Sequence, residues 1–371
     1  MIIDCKSIAQ KYKDMAKAKI NRMWNEKIIP CLYIVQVGDN PASNAYIRGK
    51  LKDSKEVGIH AELIKLPENT TDEQIQKEID DCQGTYIVDG FEYVCSGIIL
   101  QLPVPEHIHV KNIKIPDWAD VDGFNKNSEF YPCTPLGVMK IFDSINYDLD
   151  GKNVLIFGQS DVVGKPMVDM LLKRHCNVFS VNSTIETYTK NDLILRSDVI
   201  ITAVGHMDFL TPNMIDGKWS SEISGYENTG SCPELIIDVG INYGTDGKQY
   251  GDVSEELRSD KYNHCFDITP RIGGVGLMTR AMLMCNTARV FTKWFFVKFL
   301  KNLQTKILNI NRNKMDKKTA IEITEKLLAK SNIKYTNSTK KPNTPNSEIE
   351  NLKRNIDFYE YILSGLYNNH F

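Results

Sequence analysis

A glycine-rich segment near the middle of the chain most strongly limits what it can fold into. Apolar residues at 153–157 predict a buried strand, and the sequence Gly-Gln-Ser-Asp-Val-Val-Gly-Lys-Pro follows directly at 158–166. Met167, Met170 and Leu171 then continue with helical spacing. In such a strand–turn–helix unit, backbone N–H groups at the start of the helix attract a pyrophosphate. The segment therefore predicts a dinucleotide site.

Further strand candidates follow this unit along the chain. They lie at 177–181, 199–204, 235–239 and 265–269. Strands that alternate with helical segments predict a Rossmann-like, doubly wound parallel sheet. The glycine spacing is Gly-x-Ser-x-x-x-Gly instead of Gly-x-Gly-x-x-Gly, so a tight strand-to-helix turn without a nucleotide remains an alternative.

The end of the next strand indicates which dinucleotide is favoured. An Asp or Glu that binds a ribose 2′-hydroxyl usually ends this strand, but Asn182, Ser183 and Thr184 stand here. Because no carboxylate is present to repel a 2′-phosphate, the sequence favours NADP, with NAD as the alternative.

The first half of the chain has the pattern of another α/β unit. Strands are predicted at 30–37, 61–66 and 96–101, and helical patterns occur at 6–28 and 71–82. Strand, helix, strand, helix, strand is the order of a parallel α/β unit. The fold class is therefore α/β, and the length of 371 residues suggests two domains.

The helix expected after the first strand carries a ring and an amine on one face. Tyr46 and Lys50 are four residues apart, and Gln101 ends the third predicted strand. A ring can stack on a flat ligand, an amine can transfer protons, and a carboxamide can orient that amine. Taken alone, Lys50 reads by default as a charge on a solvated helix face, and Gln101 as a strand end.

Composition argues against several classes of function. The net charge of −2 gives no support for binding to nucleic acid or to an anionic membrane. Nine cysteines without Cys-x-x-Cys and seven histidines without His-x-x-x-His argue against a metal site and fit reduced thiols. No apolar run approaches the roughly 20 residues of a membrane span. The N-terminal sequence resembles neither a signal peptide nor a transit peptide, so a cytoplasmic protein is expected.

Residues 301–371 differ from the rest because Lys, Asn, Thr and Ser dominate them. The stretch 337–347 reads as a linker between possible helices at 317–329 and 349–366. A flexible appendage is the default interpretation, and a helix that docks on a partner or covers a dimer is the alternative. Two other stretches, 84–93 and 220–233, are predicted to be surface loops.

Several segments together resemble one family, the bifunctional methylenetetrahydrofolate dehydrogenase/cyclohydrolases. They follow the family's order over residues 1 to about 298, and this order makes the resemblance specific, whereas a single match is not. The main segments are 37–43, Tyr46 with Lys50, 101–105, 120–124, 132–135, 158–167, 238–242, 251–253 and 273–279.

The resemblance implies two α/β domains on either side of a cleft, with folate on the first and the nicotinamide cofactor on the second. Residues 1–148 with 281–300 would form the folate-binding catalytic domain, and 149–280 the NAD(P)-binding Rossmann domain. Residues 301–371 would be an extra tail, partly helical or disordered. A homodimer without metal is also implied, with tetrahydrofolate derivatives as its small-molecule partners.

The implied reactions are two. NADP⁺ oxidises 5,10-methylenetetrahydrofolate to the 5,10-methenyl cation, and water opens this cation to 10-formyltetrahydrofolate. Tyr46 would stack on the folate, Lys50 would transfer protons, Gln101 would orient Lys50, and Asp122 would bind the N–H edge of the pterin. Desolvation and the cationic substrate would lower the pKa of Lys50, so that the amine acts as a base near neutral pH.

The resemblance extends these roles to further residues. Those expected to bind substrate as well are Leu102, Pro103, Gly273 and Gly274. Those expected to bind the cofactor are Gly158, Gln159, Ser160, Val163, Gly164, Pro166, Asn182, Ser183 and Ile241.

The chain departs from the family's usual sequence at three positions. Ile272 and Leu277 replace prolines beside the glycine-rich loop, which is expected to loosen a loop that lines both sites. Gln159 stands where many members have an arginine that pairs with the 2′-phosphate, so a weak preference for NADP is expected.

Alternatives remain open from the sequence. Asp122 in Asp-Val-Asp-Gly can be read as a turn residue only, and Cys133 is read as packing because no histidine partner is evident. The chain as a whole can be read as a dehydrogenase without the hydrolytic step, or as a non-catalytic scaffold that acts through its tail. The intact set of Tyr46, Lys50, Gln101 and Asp122 argues against the scaffold.

Overall fold

A computed structural model gives the fold of the chain. It describes residues 1–23, 27–216 and 232–308, and within the tail it describes 318, 321–329, 332, 356, 359–360 and 363–364. Residues 321–329 are helical. The predicted loop at 220–233, the linker at 337–347 and the helix at 349–366 lie largely or wholly outside the described residues.

The first half of the chain forms a mixed sheet of four strands in the order β2-β1-β4-β3. Strand β1 is parallel to β2 and β4, and β3 is antiparallel to β4. Residues 30–37 of the central strand β1 are all buried, as expected for an apolar run covered on both faces. The strands are β1 (Ile28–Val37), β2 (His60–Leu66), β3 (Thr85–Val88) and β4 (Phe91–Leu100).

The stretch 84–93 is not the surface loop that the sequence predicted. Strand β3 pairs with the start of β4, and Asp89 and Gly90 form the two-residue turn between them, both with positive φ. An Asp-Gly pair favours this kind of hairpin turn, because both of its central residues need the left-handed region. The residues on either side of this turn are rich in aromatic and β-branched side chains, which favour paired strands.

Three helices accompany this sheet: α1 (Cys5–Met23), α2 (Pro41–Val57) and α3 (Asp72–Asp81). The predicted helix 6–28 was too long, since Ile28 already belongs to β1. Helix α3 begins at a capping box in which Thr71 and Gln74 exchange hydrogen bonds, as their spacing allows.

The second sheet has five strands, all parallel, in the order β11-β8-β7-β5-β6. After β6 the chain crosses to the other side of β5, which creates a crevice at the carboxyl ends of β5 and β7. This confirms the Rossmann-like sheet. Its strands are β5 (Asn153–Phe157), β6 (Asn177–Val181), β7 (Val199–Thr202), β8 (Leu235–Asp238) and β11 (Asp267–Ile268).

A small hairpin and several helices complete the described residues of the second half. Strands β9 (Asn242–Tyr243) and β10 (Gln249–Tyr250) form a small antiparallel hairpin. The helices are α4 (Cys133–Ser144), α5 (Gly164–Leu172), α6 (Thr187–Leu195), α7 (Pro212–Ile215) and the long α8 (Val275–Leu308).

Helix α8 joins the two halves. It packs against α1 and α4 and also contacts β4 of the first sheet. One continuous hydrophobic core contains Ile34 and Ile99 from the first sheet, Ile156 and Ile201 from the second, and Phe291 from α8. The relative placement of the two sheets is therefore fixed largely by this helix and its neighbours.

A core substitution in α8 tests this role. Phe291 is fully buried, and Val297 on the same helix is 45% exposed. We expect Phe291→Ala to lower the free energy of unfolding by about 3–5 kcal/mol through lost burial and a cavity, while Val297→Ala has little effect. Chemical denaturation followed by circular dichroism measures both, and equal stability of the two variants would contradict the packing.

Candidate active site

Lys50 lies at the centre of a compact polar cluster. Its Nζ donates a hydrogen bond of 3.0 Å to Oε1 of Gln101, and lies 3.8 Å from Oδ2 of Asp122. The same Nζ is 5.3 Å from the centre of the Tyr46 ring. The four side chains that the sequence singled out as catalytic are therefore together, drawn from α2, the end of β4 and the loop before α4.

Gln101 holds its oxygen toward Lys50. Its Nε2 donates to the carbonyl of Leu102 at 2.6 Å, so its Oε1 is left to face the amine. Leu102 and Pro103 form the loop that follows, and the peptide between them is cis. The Leu102 carbonyl also accepts a hydrogen bond from Ser43 at the start of α2. The loop and α2 are thereby linked beside the amine.

The amine of Lys50 is almost completely removed from solvent, with 3% of the residue exposed. Burial lowers the pKa of Lys50 below its ordinary value, although the Asp122 carboxylate opposes this shift. A neutral amine is a base, so the cluster can accept a proton from a bound molecule more readily than a solvated lysine can.

Asp122 is the more open member, with a side chain 33% exposed. The backbone just before it is held in place, because the carbonyl of Val121 accepts hydrogen bonds from Asn286 and from the Cys133 thiol.

Burial and the nearby Asp122 raise the pKa of Cys133 well above its usual value. Cys133 is therefore a protonated packing residue, in agreement with the reading from sequence.

A cleft of about 260 Å³ opens beside this cluster, between the two halves of the chain. Tyr46 and Arg280 line it from one side, and Ile241, Gly273 and Gly274 from the other. Lys50 lies next to the Tyr46 ring, but Lys50, Gln101 and Asp122 do not line the cleft itself. Of the two residues that replace family prolines, Ile272 is 63% exposed at the rim, and Leu277 lies in the first turn of α8.

The glycine-rich turn between β5 and α5 forms a second site. Gly158 has φ +109°, and a Cβ there would lie 2.2 Å from the carbonyl oxygen of Ala203. A Cβ on Gly164 would lie 2.0 Å from the oxygen of Gly158. Ser160 accepts a hydrogen bond from the N–H of Val163, and Pro166 lies in the first turn of α5. The backbone therefore needs glycine at both ends, as a close phosphate-binding turn does.

The strand ends beside this turn bring together the other predicted cofactor residues. Gln159 donates to the carbonyl of Ser180 at 3.0 Å and accepts from Asn182 at 3.2 Å. Asn182 and Ser183 are exposed. The side chains are amide and hydroxyl groups, which can donate to a ribose or phosphate but carry no charge.

Sequence reasoning missed a buried network that holds the neighbouring loops. Asp252 accepts hydrogen bonds from the backbone N–H groups of Val204, Gly205 and His206, which follow β7. The N–H of Asp252 in turn donates to Asp238, and Asp238 forms an ion pair of 2.6 Å with Arg258. The loop at the carboxyl end of β7, beside the crevice, is fixed by this network.

Sequence reasoning also missed Arg280. Its Nε lies 2.8 Å from Oδ2 of the buried Asp53, an ion pair whose N–H is not aligned for a hydrogen bond. No sequence signal places it here, because Arg280 and Asp53 belong to helices far apart in the chain.

Among residues 1–23, 27–216, 232–308 and the described positions of the tail, no group of three or more His, Cys, Asp or Glu could hold a metal ion.

Family models match both halves of the chain. The catalytic domain of tetrahydrofolate dehydrogenase/cyclohydrolase matches residues 3–122, and the NAD(P)-binding domain of the same enzymes matches residues 132–294. The chain belongs to the tetrahydrofolate dehydrogenase/cyclohydrolase family. The family named from the sequence is thus confirmed.

Relatives of this family member support the assignment over most of its length. The bifunctional protein FolD of Thermodesulfovibrio yellowstonii is 36% identical over 296 residues, which are 77% of this chain and 94% of that protein. The bifunctional protein FolD of Bacillus mycoides is 35% identical over 298 residues, covering 77% and 95% of the two chains.

Solved structures of the family agree with the fold. The bifunctional FolD enzyme of Campylobacter jejuni is 33% identical, with a TM-score of 0.65 over 78% of this chain and 98% of that one. The Trypanosoma brucei enzyme, solved with NADP cofactor and an inhibitor, is 25% identical, with a TM-score of 0.64 over 79% and 97%. The predicted α/β fold with a Rossmann-like second sheet is confirmed, and so is the bifunctional enzyme class.

Within the residues that the structure describes, no helix of this dehydrogenase/cyclohydrolase is long and apolar enough to cross a membrane. The roles of the individual site residues and the domain boundaries at 148, 281 and 300 stay predictions.

Gly158 offers a test of the turn, with Gly151 as its matched control. Both have positive φ, but a Cβ on Gly151 would meet nothing within 4 Å. We expect Gly158→Ala to destabilise the protein by about 1–3 kcal/mol more than Gly151→Ala, because of its backbone clash. Thermal unfolding with and without NADP⁺ measures this, and NADP⁺ should stabilise only the Gly151 variant. Equal stabilisation of both variants would refute the cofactor role of the turn.

Proposed function

We propose that the chain oxidises 5,10-methylenetetrahydrofolate with NADP⁺ and hydrolyses the methenyl product to 10-formyltetrahydrofolate. The observation that carries this function is the buried Lys50, in contact with Gln101 and Asp122 beside the cleft that Tyr46 lines. Membership of the bifunctional family supports both reactions, and the geometry supports an amine that acts on a bound ligand.

The cofactor site fits a dinucleotide because its turn leaves no room for a side chain at Gly158 or at Gly164 and ends at the start of α5. Gln159, Ser160, Asn182 and Ser183 supply polar groups around it. The nicotinamide, when bound, accepts a hydride from the methylene carbon. The protein contributes mainly position and the exclusion of water, and Ile241 contributes an apolar surface in the cleft.

The hydrolytic step requires a proton transfer from the attacking water and another to N5 of the pterin, and we assign both to Lys50. Water adds to the methenyl carbon of the cationic substrate while neutral Lys50 Nζ accepts a proton from that water. The ammonium then returns the proton to N5 of the pterin as the bond from carbon to N5 breaks. The hydroxyl proton of the intermediate leaves to solvent as the C=O bond forms, which leaves the formyl group on N10. Burial makes the first transfer favourable because it lowers the pKa of Lys50.

The neighbours of Lys50 have separate tasks. Gln101 orients the amine, since its Oε1 accepts one of the amine hydrogens. Asp122, the more exposed carboxylate, binds the N–H edge of the pterin through paired acceptors. Tyr46 stacks on the ring system from the wall of the cleft. Leu102, Pro103, Gly273 and Gly274 complete the substrate surface.

Finer aspects of the function are also part of the proposal. We infer a cytoplasmic homodimer in which residues 1–148 with 281–300 bind folate and residues 149–280 bind the cofactor. The 10-formyl product would supply one-carbon units for purine synthesis. Family resemblance supports the dimer, and the packing of α8 against α1 and α4 supports the division of the chain.

Removing the amine tests the proposed chemistry. We expect Lys50→Gln to lower the rate of 10-formyltetrahydrofolate formation by about 10²–10⁴-fold, the usual contribution of a general base, while hydride transfer to NADP⁺ persists. Lys52→Gln is the matched control, because Lys52 is exposed on the same helix. Absorbance of the methenyl intermediate and of NADPH distinguishes the two steps.

The outcomes of this experiment distinguish the alternative functions that the sequence left open. Normal hydrolysis in Lys50→Gln would contradict the role of the lysine. Methenyl accumulation by the unaltered protein would indicate a dehydrogenase only, and no turnover at all would indicate a non-catalytic protein.

Cofactor preference depends on the uncharged Gln159. We expect Gln159→Arg to raise the ratio of kcat/KM for NADP⁺ over NAD⁺ by about tenfold, since a charge-assisted bond to the 2′-phosphate contributes at least about 1.5 kcal/mol. Gln159→Met, which removes hydrogen bonding without adding charge, serves as the control. Steady-state rates with each cofactor measure the ratio, and an unchanged ratio in the arginine variant would place the 2′-phosphate elsewhere.

A further inference from the structure

Arg280 lies across helix α2 directly over Gly49. A Cβ on Gly49 would lie 1.9 Å from Nη1 of Arg280 and 2.8 Å from its Cζ. The guanidinium is therefore in contact with the backbone of Gly49, the residue immediately before Lys50. A side chain at position 49 would have to displace a cation, which makes Gly49 and Arg280 a coupled pair.

A buried carboxylate holds this cation in place. Asp53, whose side chain is 5% exposed, has Oδ2 2.8 Å from Nε of Arg280 and Oδ1 3.3 Å from Nζ of Lys13. Lys13 also pairs with Glu56 at 2.7 Å. Asp53 thus keeps a cation partner even when Arg280 is replaced, and its own burial restricts where the guanidinium can move.

The groups that face Lys50 come from several elements of the fold, and two of them are charged. Asp122, in the loop before α4, favours the ammonium form, and Arg280 on α8 favours the neutral amine. The Cys133 thiol at the start of α4 is protonated and carries no charge. The other groups in contact with Lys50, the Tyr46 ring and the Gln101 carboxamide, are neutral. Arg280 is therefore the cation that offsets the carboxylate.

We propose that Arg280, fixed by Asp53 in the space above Gly49, is a positioning residue for the hydrolytic step. Its permanent positive charge disfavours protonation of Lys50, so that the amine is a base before the cationic substrate arrives. Without it, burial alone would oppose the effect of Asp122, and the free enzyme would hold a larger share of Lys50 as the ammonium. The inference rests on the proposed role of Lys50 in hydrolysis.

The pH dependence of hydrolysis tests this inference. Removal of a neighbouring cation raises the pKa of the amine. In Arg280→Met, the pH at which cyclohydrolase kcat/KM rises should therefore be about one unit higher. At pH values below the rise, the rate should be about tenfold lower, and at high pH the two proteins should converge. Gly49→Ala, which displaces the guanidinium, should shift the rise in the same direction.

Two control variants isolate the effect of the positive charge on Arg280. Arg280→Lys keeps the cation and should keep a profile close to that of the unaltered protein. Lys293→Met removes an exposed cation of the same helix that pairs with Glu129, and it should change nothing. A fall in rate that is equal at every pH, or an unshifted profile in Arg280→Met, would overturn the proposal in favour of a structural role or none.

A direct titration separates this inference from the proposed function. Protein labelled with ¹³C at the lysine Cε gives a Lys50 resonance that is assigned by its absence from Lys50→Gln. Its titration midpoint should lie about one unit higher in Arg280→Met than in the unaltered protein. An unchanged midpoint overturns the inference even if hydrolysis is found, and a raised midpoint supports it even if the unaltered protein hydrolyses nothing.

Discussion

The site depends on one physical constraint, the burial of a lysine amine. An ammonium without water is costly, and among the described residues the fold compensates with one hydrogen bond to Gln101 and a carboxylate at 3.8 Å. The amine therefore loses its proton more readily than a solvated lysine does. This lowered pKa makes Lys50 a better base than a lysine on the surface. The arrangement around Lys50 requires α2, β4 and the loop before α4 to be held in fixed positions.

Helix α8 and the hydrophobic core supply this rigidity. Because α8 packs on α1 and α4, it places Asn286 beneath the carbonyl of Val121 and Arg280 beside Gly49. The same helix begins at the glycine-rich loop that lines the cleft. Helix α8 therefore connects the surroundings of Lys50 with the wall of the cleft, which suits a reaction that needs exact relative placement of two ligands.

Much of the fold was predictable because its signals are local. The strands at 153–157 and 177–181 were predicted with their observed bounds, since short apolar runs ended by glycine or polar residues indicate parallel strands. The hairpin at 84–93 was missed, although Asp89-Gly90 is itself a turn signal. The first helix was predicted too long because helical periodicity does not mark where a strand begins.

The sequence by itself determined the family, the α/β class and the side chains of the central cluster, because the four-residue spacing of Tyr46 and Lys50 fixes a shared helix face. Only the tertiary structure decided which charges surround the amine. Arg280 and Asp53 are separated by more than two hundred residues of chain, so no local pattern records their contact. Electrostatic surroundings are set by packing between distant elements, and packing exists only in the folded chain.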